Sequence, residues 1–140
     1  MPSDAAGFGR GLRILLVEDE SIIAELFAES LIADGHDVSV ASDGEEALAL
    51  FEEAEAEGHP YNVVVTDVRM PRMDGLTLAR RLRGEHPALP MVVVSGYAPL
   101  DQLSRLSEDK SAPVTILSKP VKLAHLRSAV MAAAGHCIVY

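Results

Sequence analysis

The chain has one cysteine, Cys137, in 140 residues. No internal disulfide can form, and a lone thiol fits a reducing compartment. No apolar run approaches the roughly 20 residues that a bilayer-spanning helix needs. The start, MPSDAAGFGRGL, lacks the basic-then-apolar order of a secretory leader. These absences predict a soluble, cytoplasmic protein. Basic residues are also scarce: 12 Lys and Arg stand against 21 Asp and Glu, for a net charge of −9. So acidic a surface disfavours nonspecific contact with nucleic acid or anionic lipid, and neither is expected as a partner. The histidines His36, His59, His86, His125 and His136 show no metal-ligand spacing on one helix, and read as structural or surface groups.

What the chain does have is alternation. Short β-branched runs occur at 13–17, 37–41, 62–66, 90–95 and 113–117, the length of strands. The first, third and fourth are continuously apolar, as strands covered on both faces are. Helical patterns lie between them. Residues 20–33 place Ile22, Ile23, Leu26, Phe27 and Leu31 near one face, with Asp34-Gly35 as the stop. Residues 44–57 follow Asp43, a predicted N-cap, and carry six solvated glutamates between Glu45 and Glu57. Residues 75–84 are closed by Gly84 and 121–134 by Gly135, while 99–107 is a shorter pattern opened by Pro99.

Five strands alternating with five helices predict an α/β fold, a parallel sheet with helices on both faces. Residues 1–11 read as a loose arm, 12–134 as one domain and 135–140 as a short tail. In the flavodoxin-like order 2-1-3-4-5, ligands sit beyond the carboxyl ends of strands 1 and 3. Glu18, Asp19 and Glu20 follow strand 1, and Asp67 follows strand 3. Converging carboxylates require a proton or a cation, and an all-oxygen set suits Mg²⁺. Ser95 ends strand 4 and Lys119 follows strand 5, so a hydroxyl and an ammonium share the edge with a carboxylate able to act as nucleophile.

The four pieces ILLVEDE, VVVTDVRMPRMDG, VVVSGYA and ILSKP stand in this order over 14–120. Together they resemble the response-regulator receiver domain of two-component signalling, with the likeness extending over about 12–134. The resemblance implies a five-stranded (βα)5 fold. It implies that Asp67 is the phosphoacceptor and that Glu18 and Asp19 organise Mg²⁺, with Asp67 and the main-chain carbonyl of Arg69 as further ligands. Ser95 resembles the switch hydroxyl, Lys119 the lysine that contacts the phosphoryl group, and Pro120 the proline after it, whose bond to lysine is often cis in the family. Receivers often carry an aromatic residue where this chain has Ile116. Here Tyr97 follows Ser95 by two residues, as in a subgroup with a Gly-Tyr pair, and Arg69 is a longer cation than is usual there.

The implied partner is a sensor histidine kinase or a histidine phosphotransferase. An output protein or a second copy is expected on the face formed by 99–107, the fifth strand and the last helix. Only GHCIVY follows that helix, so output is expected through partner contact or onward phosphotransfer, not through an enzymatic module. Two other readings use the same residues: a receiver-like binding module that works without phosphorylation, and a hydrolase of a small phosphorylated metabolite.

Overall fold

The computed structural model describes residues 11–70, 73–96 and 114–135. Along them run β1 (Arg13–Val17), α1 (Ser21–Ala33), β2 (Asp37–Ala41), α2 (Gly44–Ala56), β3 (Val63–Asp67), α3 (Gly75–Glu85), β4 (Met91–Ser95), β5 (Val114–Ser118) and α4 (Leu123–Ala133). The pattern at 99–107 lies outside the described residues. All five strands are parallel, in the order β2-β1-β3-β4-β5. None of the described helices is long and apolar enough to cross a membrane.

Period-two alternation along the central strands feeds two cores. Leu15, Val17, Val64 and Val93 point to the side covered by α2 and α3, where Phe51 and Leu78 complete the packing. Ile14, Leu16, Val65 and Val94 point to the side of α1 and α4, against Phe27, Leu31 and Leu126. Each such side chain contributes about 1.5–3 kcal/mol of burial. This explains the unbroken valine and leucine runs: β3 and β4 are buried at every position, whereas the edge strands β2 and β5 are not.

Two sequence expectations need correction. On α1 the buried residues are Ala24, Phe27 and Leu31, while Ile22 is 80% and Leu26 50% exposed. At 100° per residue, positions 22 and 26 fall nearly opposite 24, 27 and 31, so one apolar face cannot hold all of them. Gly84 does not close α3; the helix runs one residue further and is capped at His86, whose N–H donates to the Leu82 carbonyl at 2.8 Å.

The other punctuation is as expected. Asp43 caps α2 by accepting from Glu46 N–H at 2.8 Å, and Glu46 reaches back to Ser42 N–H at 2.7 Å. Gly35, at φ 94°, turns the chain from α1 into β2. Asp34 at that turn accepts a two-pronged bond from Arg127 of α4, with both contacts at 2.7 Å, which ties the two helices of one layer. At the amino edge of the sheet the Arg13 guanidinium lies 4.8 Å over the Tyr61 ring and donates to Asp37 and to the His59 carbonyl.

Candidate functional site at the carboxyl edge

Because the strands are parallel, all their carboxyl ends open on one edge. The order then decides which end residues become neighbours. β1, β3, β4 and β5 are successive, so Glu18 and Asp19, Asp67, Ser95 and Lys119 arrive side by side. One carboxylate oxygen from each of Glu18, Asp19 and Asp67 lies within 4.8 Å of the others. Lys119 Nζ donates to Asp67 Oδ2 at 2.8 Å.

Glu18 and Asp67 are buried, at 2% and 5% exposure, while Asp19 is open to solvent. Burial pushes the Glu18 carboxyl up to about 7, and the charges of Asp67 and Asp19 add to the shift against the pull of Glu20 N–H and Lys119. Burial works against the Lys119 charge, but the bond to Asp67 and the fields of Asp67, Glu18 and Glu20 outweigh it, so its pKa is raised. Among the described residues, the three carboxylates therefore carry more negative charge than the Lys119 ammonium offsets. The side-chain donors that Glu18, Asp19 and Asp67 offer are carboxylate oxygens, which fit a hard cation such as Mg²⁺.

Backbone bonds fix these side chains. Lys119 N–H donates to the Ser95 carbonyl at 2.9 Å, which joins the ends of β4 and β5. The Lys119-Pro120 bond is cis. Ser95 is buried, and Arg69 is exposed with its N–H 3.4 Å from Asp67 Oδ1. Tyr97 lies outside the described residues. Of the residues singled out from the sequence, Glu18, Asp19, Asp67 and Lys119 form one cluster.

Two further residues shape the cluster without having been singled out for that. The Asp67 main-chain carbonyl accepts from the Thr66 hydroxyl at 2.9 Å. A Cβ on Gly75 would stand 2.0 Å from that same carbonyl oxygen, and Gly75 N–H donates to the Val68 carbonyl at 2.7 Å. The start of α3 thus rests on the backbone of Asp67, the last residue of β3, and of Val68 just after it, an approach that only glycine permits. The Asp74-Gly75 pair announces a turn in the sequence, but it gives no hint of which backbone it will touch.

The family model described as "Response regulator receiver domain" matches residues 14–131. The chain is 40% identical over 117 residues to the sensor kinase CckA of Brucella abortus, an alignment covering 84% of this chain and 12% of that protein. It is 34% identical over 119 residues to the transcriptional regulatory protein PdtaR of Mycobacterium tuberculosis, covering 84% of this chain and 54% of that protein. The chain thus spans from about an eighth to about half of these relatives. A solved response regulator receiver protein from Sinorhizobium medicae superposes with a TM-score of 0.75 at 31% identity, covering 90% of this chain and 96% of that one.

Proposed function

The chain belongs to the response regulator receiver domain family of two-component signalling, and from that premise we propose that it accepts a phosphoryl group on Asp67 from a phosphohistidine. The donor is a sensor histidine kinase or a histidine phosphotransferase. An Asp67 carboxylate oxygen attacks phosphorus, the P–N bond breaks, and the imidazole nitrogen keeps the electron pair. The observation that carries this reading is the meeting of Glu18, Asp19 and Asp67 within 4.8 Å, with Lys119 bonded to Asp67.

Glu18, Asp19, Asp67 and the Arg69 carbonyl would hold Mg²⁺, which when bound neutralises the crowded carboxylates and the incoming phosphoryl charge. Lys119 orients Asp67 before transfer and offers its ammonium to a phosphoryl oxygen afterwards. Ser95 supplies a hydroxyl from the adjoining strand end. Movement of Ser95 and Lys119 towards the new charge shifts β4, β5 and α4, and the face that includes β5 and α4 receives an output partner or a second copy. The receiver unit is 12–134, between an arm at 1–11 and a tail at 135–140. It works in the cytoplasm as a phosphoacceptor, not as an enzyme with turnover.

The test is intact-mass analysis after incubation with Mg²⁺ and acetyl phosphate. Wild type should gain one phosphoryl group, and Asp67→Asn none. Equal gain by Asp67→Asn sinks the assignment of the acceptor. Sustained turnover of a generic phosphate monoester, supplied in place of acetyl phosphate, without a stable adduct would favour a hydrolase instead.

A further inference from the structure

β3 reads VVVTD, and Thr66 brings a hydroxyl into a strand that is buried at every position. It is fully buried, with Val17 of β1 and Val93 of β4 beside it in register, both part of the core under α2 and α3. Packing alone asks for valine here. Valine has nearly the same shape, suits a strand as well and buries no polar atom. A hydroxyl taken from water costs free energy unless it is bonded. Thr66 makes that bond to the main chain of the next residue: its Oγ1 donates to the Asp67 carbonyl at 2.9 Å.

That bond completes a set. Val68 N–H, at the other end of the same peptide, donates to the Val94 carbonyl at 3.1 Å, and the Val68 carbonyl accepts from Gly75 N–H at 2.7 Å. The Asp67–Val68 peptide is thus held at its oxygen by Thr66 and at its nitrogen by β4, which fixes its plane. In the chain this peptide stands between the Asp67 carboxylate and the Arg69 carbonyl. Of the three anchors only Thr66 acts through a side chain, so only it can be removed without disturbing the backbone ladder. Precision here matters for rate, because misplacing a reacting group by about 1 Å can cost about a hundredfold.

We propose that Thr66 is a positioning residue for phosphotransfer, whose hydroxyl fixes the peptide that sets the Asp67 carboxylate and the Arg69 carbonyl. The inference rests on Asp67 being the phosphoacceptor. Its test separates the hydroxyl from the methyl, since Thr66→Val removes the first and Thr66→Ser the second. Thr66→Ser should be the less stable of the two in urea, because it loses buried apolar surface. It should nevertheless gain a phosphoryl group from acetyl phosphate and Mg²⁺ at nearly the wild-type rate. Thr66→Val should be slower by about tenfold. In the metal-free, unphosphorylated chain, the Val68 amide of Thr66→Val should exchange with solvent several-fold faster than in wild type, with the Val64 amide unchanged.

Phosphorylation of Thr66→Val at the wild-type rate overturns the proposal, as does a Thr66→Ser slowed as much as Thr66→Val. So does unchanged Val68 exchange in Thr66→Val. A Thr66→Val midpoint below that of Thr66→Ser also overturns it, since the hydroxyl would then support the fold at large. A wild-type chain that gains no phosphoryl group sinks the acceptor reading itself, and the role of Thr66 falls with it.

Discussion

Lys119 Nζ and Asp67 Oδ2 meet at 2.8 Å although 52 residues separate them in the chain. This ammonium is what offsets part of the charge of three crowded carboxylates, two of them buried. Removing it leaves buried charge uncompensated. Lys119→Met should lose about 1–3 kcal/mol of unfolding free energy in metal-free buffer at pH 7, and Mg²⁺ should restore more stability to this variant than to wild type. Urea unfolding with and without Mg²⁺ measures both, and an unchanged midpoint would show that the pair contributes nothing.

Glu18 gives a pH dependence of known sign. Its carboxyl titrates near 7 in the fold against 4.5 as an ordinary glutamate. Between those values the folded chain binds more protons than the unfolded one, so this group's contribution to stability falls as pH rises from about 4.5 to about 7. The full span corresponds to about 3 kcal/mol as an upper figure. Glu18→Gln should flatten the slope between pH 5 and pH 7.5 in metal-free urea titrations. An identical slope in the variant would contradict the assignment.

Gly75→Ala tests how closely α3 rests on the phosphoacceptor strand. The added methyl would stand 2.0 Å from the Asp67 carbonyl oxygen, so backbone must move. Overpacking of this kind costs about 1–3 kcal/mol, and the displaced Asp67 should also accept phosphoryl groups more slowly. Gly84→Ala is the control, since a Cβ there meets nothing within 4 Å. It should leave the phosphorylation rate alone and raise stability by several tenths of a kcal/mol. Parallel unfolding and mass time courses separate the two variants.

Arg69 lies two residues after Asp67, is exposed, and directs its N–H at Asp67 Oδ1 from 3.4 Å. A guanidinium there can shield the phosphoryl group from an in-line water. Arg69→Ala should speed loss of the phosphoryl group several-fold, equivalent to about 1 kcal/mol of barrier. Timing the phosphorylated mass after donor removal decides it, with decay at the wild-type rate counting against shielding. Tyr97→Ala, two residues after Ser95, is expected to act in the same direction.

The strands were legible because the central ones are buried on both faces. That burial needs unbroken valine and leucine, and nothing else in a chain this acidic produces such runs. Given the sheet order, the meeting of Glu18, Asp19, Asp67 and Lys119 follows from their places at strand ends. On α1 the sequence invites one stripe because Ile22, Ile23, Leu26, Phe27 and Leu31 recur at near-helical spacing, while the helical angle puts Ile22 and Leu26 on the far side. Contacts made by backbone left no trace in the sequence. Neither the Gly75 approach to Asp67 nor the bond from Lys119 N–H to the Ser95 carbonyl depends on a side chain that a pattern could flag.

The parallel register carries a consequence for how this chain can change length. Ser95 pairs with Ser118, and Val94 with Leu117, immediately before Lys119. One residue inserted within β5 would invert every following side chain across the sheet, sending Lys119 away from Asp67. Two would restore the facing but carry the ammonium roughly 6–7 Å past its partner. The same insertion at 58–60, where the chain passes from α2 towards β3 and Gly58, His59 and Pro60 are all exposed, would leave each strand pairing in place. Over descent, therefore, β5 should be nearly frozen in length while the amino-edge turns drift. A library of single-residue insertions, scored for phosphorylation, would draw that boundary along the chain.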